Sequence, residues 1–190
     1  TADFQSTDTN YLKYEGPIDP KYTGGFNNTF TYKGLSLNLF FTFQAGNVVR
    51  LAPSFANSYD DTQAMPREMF ARWTLPGDEN RTDIPSIADN ETLKQLVGIY
   101  PYNSYNYSTA RVAKGDFIRL KSLSLSYDLP KKWMTATTFI SSATLRFSVK
   151  NVCLLYADKK LNGQDPEFVN TGGVAQPIQR QFILSLDLAF

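Results

Sequence analysis

Between Leu35 and Gln44 the chain alternates apolar and polar side chains with a single break. Leu35, Leu37, Leu39, Phe41 and Phe43 share one face. Ser36, Asn38, Thr42 and Gln44 share the other, interrupted only by Phe40. Successive side chains of a strand point to opposite faces, so this segment reads as a strand between an apolar and a polar environment. Four further segments follow the same rule. Residues 24–32 place Phe26, Phe30 and Tyr32 opposite Gly25, Asn27, Thr29 and Thr31. Residues 116–127 set Leu123, Leu125 and Tyr127 against Ser122, Ser124 and Ser126. In their earlier half Ile118 and Leu120 fall on the serine face, which a β-bulge or an emergence from the apolar layer would explain. Residues 143–156 oppose Leu145, Phe147 and Val149 to Thr144, Arg146, Ser148 and Lys150. Residues 178–190 line up Phe182, Leu184, Leu186, Leu188 and Phe190 on one face.

The links between these strands are very unequal. Lys33-Gly34 is a minimal turn, and the link from Asp128 to Ser142 is moderate, with Pro130 as a strand stop. Residues 45–115 form one very long connection, too long for a structureless loop in a compact soluble domain. Within it Asp89 is placed to cap a short helix through Val97, and Pro66 to open another ending near Trp73. Short turns on one side and long loops on the other are the asymmetry of an outer-membrane barrel. With Phe190 ending in the periplasm, every short link falls on the periplasmic side and residues 45–115 are extracellular. Five strands do not close a barrel, and an open sheet with one apolar face leaves edges and a large patch exposed. The chain is therefore expected to be a piece of a larger barrel or to pair with other chains.

Composition removes other classes. The chain has 190 residues and no His, so it lacks the commonest general base and metal ligand. Its single Cys, Cys153, makes neither an internal disulfide nor a thiolate zinc site, and reads as a small apolar strand residue. Lys+Arg number 19 and Asp+Glu 18, which gives no basic excess for nucleic acid. The 14 Phe and 11 Tyr suit strands better than helices. No apolar run approaches the ~18 residues of a membrane-spanning helix, so a membrane reading rests on strands. No signal peptide opens the chain, where residues 1–10 are polar.

An ordered set of short motifs resembles the SusC/RagA-type TonB-dependent transporters over most of the chain. It runs from Gly16-Pro17-Ile18-Asp19-Pro20 through Gly24-Gly25-Phe26-Asn27-Asn28-Thr29-Phe30 to Lys33-Gly34 and the alternating strand after it. Next come Arg72-Trp73-Thr74-Leu75-Pro76-Gly77-Asp78 and Thr82-Asp83-Ile84-Pro85. Then follow Gly115-Asp116-Phe117-Ile118-Arg119-Leu120-Lys121, Leu125-Ser126-Tyr127-Asp128-Leu129-Pro130, Asp165-Pro166-Glu167 and the last strand. Two places depart from the family pattern: Cys153 stands where an aromatic is common, and Ala175-Gln176 where a Tyr precedes the Pro. The resemblance implies an all-β fold, the C-terminal portion of a transmembrane barrel of about 22 antiparallel strands with a plugged lumen. It implies uptake of oligosaccharides or peptides, a SusD-like surface lipoprotein over the extracellular mouth, and drive from TonB. The plug and the TonB-contacting segment lie upstream in such proteins, and neither is seen in this sequence. No cofactor is implied.

Candidate sites each have a plain structural alternative. Trp73, Tyr100, Tyr102, Tyr105 and Tyr107 present aromatic faces with polar tips, suited to sugar rings or peptides, and equally suited to loop packing or contact with a lid protein. Arg146 and Lys150 face the expected lumen, where they tune selectivity or pair with loop carboxylates. Asp60-Asp61, Asp78-Glu79 and Asp83 match no calcium-loop pattern and no paired-carboxylate active site. Asn90-Glu91-Thr92 and Asn106-Tyr107-Ser108 match a glycosylation acceptor, which is fortuitous in a bacterial protein. Phe182, Leu184, Leu186, Leu188 and Phe190 form the expected assembly signal. The competing function is a soluble β-sandwich that binds carbohydrate through its tyrosines; a hydrolase is the third reading, and no catalytic residues are assigned.

Overall fold

The computed structural model describes residues 12–55, 64–95, 101–133, 139–169 and 178–190. They fall into two compact units, residues 1–16 with 49–113 and residues 17–48 with 114–190.

The second unit is an antiparallel sheet of five strands, built from β1 (Tyr22–Tyr32), β2 (Leu35–Ala45), β5 (Phe117–Asp128), β6 (Ser142–Ala157) and β7 (Gln181–Ala189) in that order. The short strands β3 (Val48–Arg50) and β4 (Val112–Lys114) make a separate two-stranded ladder. The sheet is open, with β1 and β7 at its edges. Lys33 and Gly34 turn between β1 and β2 with φ of 46° and 80°. Two positive φ values give the turn the twist that a two-residue hairpin needs, which explains the glycine there.

Register turns the alternation of each strand into continuous rows. Phe30, Leu37, Leu125, Phe147 and Leu184 stand side by side across all five strands. The neighbouring rows on that face are Tyr32, Leu35, Tyr127, Leu145 and Leu186, and Asn28, Leu39, Leu123, Val149 and Phe182. The opposite face carries a polar row of Thr29, Asn38, Ser124 and Ser148. Asn38 donates to the Thr29 hydroxyl at 2.8 Å, and the Ser124 and Ser148 hydroxyls lie 2.9 Å apart.

The irregular half of β5 is a bulge. Phe40 pairs with Ser122, but Phe41 pairs with Leu120, so Lys121 is the extra residue. The slip moves Leu120 and Ile118 beside Phe41 and Phe43 on the apolar face, and turns Phe117 and Arg119 onto the polar face. Phe40, the one break in the β2 pattern, lies over Gly25 of β1, where a Cβ would come within 2.9 Å of its ring. A glycine gap on the polar face is thus filled by an aromatic from the next strand.

The last strand is shorter than its pattern. Pairing of β7 with β6 begins at Gln181 opposite Lys150, not at Ile178. Beyond that point Asn151 takes a positive φ of 54° and β6 runs on to Ala157 without β7 beside it. Phe190 follows the last paired residue, Ala189.

The loop unit has its own interior. Phe55, Met69 and Tyr102 are buried, with Met65, Ile84, Ile87, Ala88 and Tyr105 packed around them. Its elements are short: α1 (Asn90–Gln95), α2 (Pro101–Asn106) and 3₁₀ turns at Arg67–Ala71, Asp78–Asn80 and Thr109–Arg111. Asp89 caps α1 as expected, accepting the Thr92 N–H at 2.7 Å. Pro66 opens a 3₁₀ turn that ends at Ala71, before Trp73.

Candidate functional site

Two regions carry the side chains that the sequence singles out. On the polar face of the sheet, Arg146 stands between Ser126 and Ser185, and Lys150 between Ser122 and Gln181. Arg146 lies 3.7 Å from Asp187 of β7, a strand carboxylate and not a loop one. Both side chains of that pair are at least half exposed, so it adds little stability. The face as a whole presents hydroxyls, amides and a few charges, which suits water and polar solutes.

In the loop unit the tyrosines are not one platform. Tyr102 and Tyr105 are three positions apart on α2, which puts them on one side of the helix. That side turns inward. Tyr102 is 8% exposed, stacks on Phe55 at 4.6 Å, and its hydroxyl accepts the Ala88 N–H at 2.7 Å. It is a core residue and not an open ring. Tyr105 meets Phe55 edge-on at 5.6 Å, and burial pushes its phenol up despite a hydrogen bond with Arg111. Tyr107 lies beyond the helix and is 59% exposed. Trp73 is partly exposed, its indole N–H donating to the Thr82 carbonyl at 2.6 Å. Tyr100 and Asp60-Asp61 lie outside the described residues.

Of the buried polar groups of this unit, sequence singled out Asn106 alone, and as a glycosylation pattern rather than a core residue. Asn106 is buried and clamps the 54–55 backbone: its Oδ1 accepts from Ser54 N at 3.0 Å and its Nδ2 donates to Phe55 O at 2.9 Å. A glycan on Asn106 has no room there. Arg111 is buried too, and one of its nitrogens reaches both Glu68 oxygens at 2.8 Å. The Arg72-to-Asp78 motif is a turn. Asp78 accepts the N–H groups of Thr74 at 3.0 Å and Leu75 at 2.9 Å, and these bonds hold its carboxyl below the usual range.

The second unit has a buried charge cluster. Arg119 pairs with Asp165 and lies 3.1 Å from Glu167, with Arg119 and Asp165 each less than a tenth exposed. No signal in either motif by itself joins them, since the partners are far apart in sequence. Among the described residues no group of three or more His, Cys, Asp or Glu is arranged to hold a metal.

No protein-family model matches the chain. Two curated relatives from Formosa agariphila do. TonB-dependent receptor P3 is 32% identical over 161 residues, 82% of this chain and 14% of that protein. TonB-dependent receptor P26 is 30% identical over 187 residues, 90% of this chain and 17% of that protein. The chain belongs to the TonB-dependent receptors. It spans about a sixth of the length of these relatives, and its open sheet is a stretch of their barrel wall. The fold agrees. The RagAB peptide importer in its open-open state superposes with a TM-score of 0.68 at 23% identity, over 94% of this chain and 18% of that one. The closed-closed state gives 0.70 at 24% identity with the same coverage. The SusC/RagA resemblance drawn from the motifs is thereby borne out, and these relatives are receptors and importers rather than enzymes.

Proposed function

We propose that this chain is a wall segment of an outer-membrane importer, in which residues 49–113 form an extracellular loop and the remaining strands and plug come from the rest of the receptor. The observation that carries the proposal is the set of apolar rows. Phe30, Leu37, Leu125, Phe147 and Leu184 form an unbroken band across five strands, and all five are more than a third exposed or intermediate in burial. Such a face in water is an association hazard, but against lipid it is the ordinary state. Its height fits. Tyr22 and Tyr32 end the apolar face of β1 ten positions apart. That is roughly 33 Å of strand, or roughly 25 Å at a tilt of about 40°, the height of a barrel's apolar band between its aromatic girdles.

Orientation follows from the connections. The Lys33-Gly34 turn, the end of β5, the start of β6 and the end of β7 share one end of the sheet, the end at which Phe190 follows. This end is periplasmic in the proposed topology, and the terminal strand with Phe190 serves as the signal read during membrane insertion.

The whole receptor, on this reading, takes up oligosaccharides or peptides, driven through TonB and working with a SusD-like surface lipoprotein. Family membership and the likeness to the RagAB peptide importer support the reading. Tyr107 and Trp73 are the loop side chains offered to partner or solute. Photo-cross-linking from Tyr107 in the intact receptor on living cells is expected to capture the lipoprotein or the imported solute. Labelling of Tyr107 from the periplasmic side alone would overturn the topology.

A further inference from the structure

Two motifs that the importer reading leaves without a role meet in the fold. Arg119, from the 115–121 stretch, stands on the polar face of β5 between Thr42 and Leu154. Asp165 and Glu167, from the Asp-Pro-Glu stretch, reach it from the connection that follows β6. Arg119 Nη2 donates to Asp165 Oδ1 and lies 3.1 Å from Glu167 Oε2, and its guanidinium sits 5.7 Å from the Phe117 ring. Asp165 Oδ1 also accepts the Glu167 N–H at 3.1 Å, so one oxygen both holds the arginine and closes the turn.

The connection itself is built, not loose. Asp158 caps the turn Lys159–Leu161 by accepting the Lys160 N–H at 3.0 Å, and its other oxygen accepts the Lys114 N–H at 2.8 Å. Leu161 is 1% exposed. Asn162 and Gly163 then reverse the chain with φ of 48° and 84°, and the Phe168 N–H returns to the Asp165 carbonyl at 2.9 Å. The wall beneath is covered: Phe117 and Arg119 are buried, and the Thr42 hydroxyl is buried without a hydrogen-bond partner among the described residues. Among the described residues of the polar face of the strands, full burial is confined to this place. Beside it, where β6 outruns β7, a cleft of about 440 Å³ opens between Asn151, Leu154, Gln179, Arg180 and the Arg119–Asp165 pair.

We propose that Arg119 is a positioning residue that folds the 158–168 connection onto the polar side of the wall, making it an inward strap that narrows the mouth and forms one side of this cleft. The proposal rests on the barrel reading, which makes the polar face the lumen. A buried ion pair gives little net stability over apolar packing of the same shape, and its value lies in geometry. Both carboxylates meet the same nitrogen, Nη2, so a lysine ammonium, on a more flexible stem and without the flat guanidinium, should hold them only in part.

The test uses Thr42→Cys as a reporter beneath the strap, in the intact receptor carrying Cys153→Ser, in outer-membrane vesicles. With the native lock the Thr42→Cys thiol should react slowly with a water-soluble maleimide. Adding Arg119→Met should speed the reaction tenfold or more, Asp165→Asn should do the same, and Arg119→Lys should fall between. A double variant with the charges exchanged, Arg119→Asp with Asp165→Arg, should recover part of the protection. Heat-modifiability of each variant reports the barrel separately, so its loss in the Thr42→Cys parent would refute the barrel reading and not the lock. If Arg119→Met does not insert, Asp165→Asn, outside the strands, gives the same comparison. Equal reaction rates with and without the lock in heat-modifiable protein would overturn the proposal.

Discussion

The two units of this chain use the same apolar side chains in opposite ways. In the sheet, Phe182 and Leu184 are 68% and 72% exposed, and Phe30, Leu145 and Phe147 stand out beside them. In the loop unit Phe55, Met69 and Tyr102 are turned inward to a small core. Buried polar groups differ too. The loop unit wraps its core with Asn106 and with Arg111 on Glu68, whereas the middle of the sheet keeps its hydroxyls and amides in open rows. Each pattern is the low-energy one for a different solvent. The loop unit hides hydrocarbon as a protein in water does, and the sheet displays it as a wall in lipid does.

The largest expected effect of a single change lies in the small core. Phe55→Ala removes the ring on which Tyr102 stacks and Tyr105 abuts, and should cost about 3–5 kcal/mol of local stability. Hydrogen exchange at the Tyr107 amide, which donates to Asn103, should accelerate while the barrel stays heat-modifiable. A barrel lost along with the loop would deny the two units their separate solvents.

Next comes the wall. Leu39→Arg places a charge in the apolar row of Leu123 and should cost about 2–4 kcal/mol near the bilayer midplane. Asn38→Arg, one residue away on the polar face beside Ser124, should cost far less. Urea unfolding of the intact receptor in bilayers compares them, and equal damage would contradict the two-sided wall.

Deletion of Phe190 should be milder for the folded state, about 1–3 kcal/mol at most for one aromatic. Its main effect should be on assembly: a severe fall in outer-membrane yield, with the inserted fraction still heat-modifiable. Normal surface levels would leave Phe190 as a girdle aromatic alone.

The smallest effect concerns Asp158, outside the wall. Burial raises its carboxyl, but the N–H groups of Lys160 and Lys114 outweigh this and hold it below the ordinary value of 3.8. A depressed folded value means that the contact contributes fully above that ordinary value and is lost as pH falls through the folded one. Exchange protection at the Lys114 amide should therefore be flat from neutral pH down to about 5 and decline only under stronger acid. A decline near pH 6 would show another group in control.

The wall was legible in the sequence because a strand's faces are written with period two, and rows then follow from hairpin register. Even the flaw was legible: Ile118 and Leu120 out of phase announce the bulge at Lys121. The end of β7 was not. The pattern from Ile178 onward is strand-like, but the chain splays from β6 at Asn151, and that is decided by backbone geometry two segments away. The loop unit was the least legible. Its short helices have too few turns to show a period, so four tyrosines read as a cluster when α2 turns Tyr102 inward and leaves Tyr107 out. Asn106, Glu68, Arg111 and the Arg119 lock depend on partners dozens of residues distant, and sequence spacing carries no trace of such pairs.

The central claim is that one face of this sheet meets lipid. Spin labels placed singly at 122 to 127 along β5 of the intact receptor in bilayers test it directly. A lipid-facing row requires that collision with oxygen, which concentrates in hydrocarbon, peaks at 123, 125 and 127. Collision with a water-soluble nickel chelate should peak at 122, 124 and 126. Labels at Leu123 and Leu125 that meet the chelate as readily as those at Ser122 and Ser124 would show that the apolar face lies against protein or water, and the wall assignment would fail.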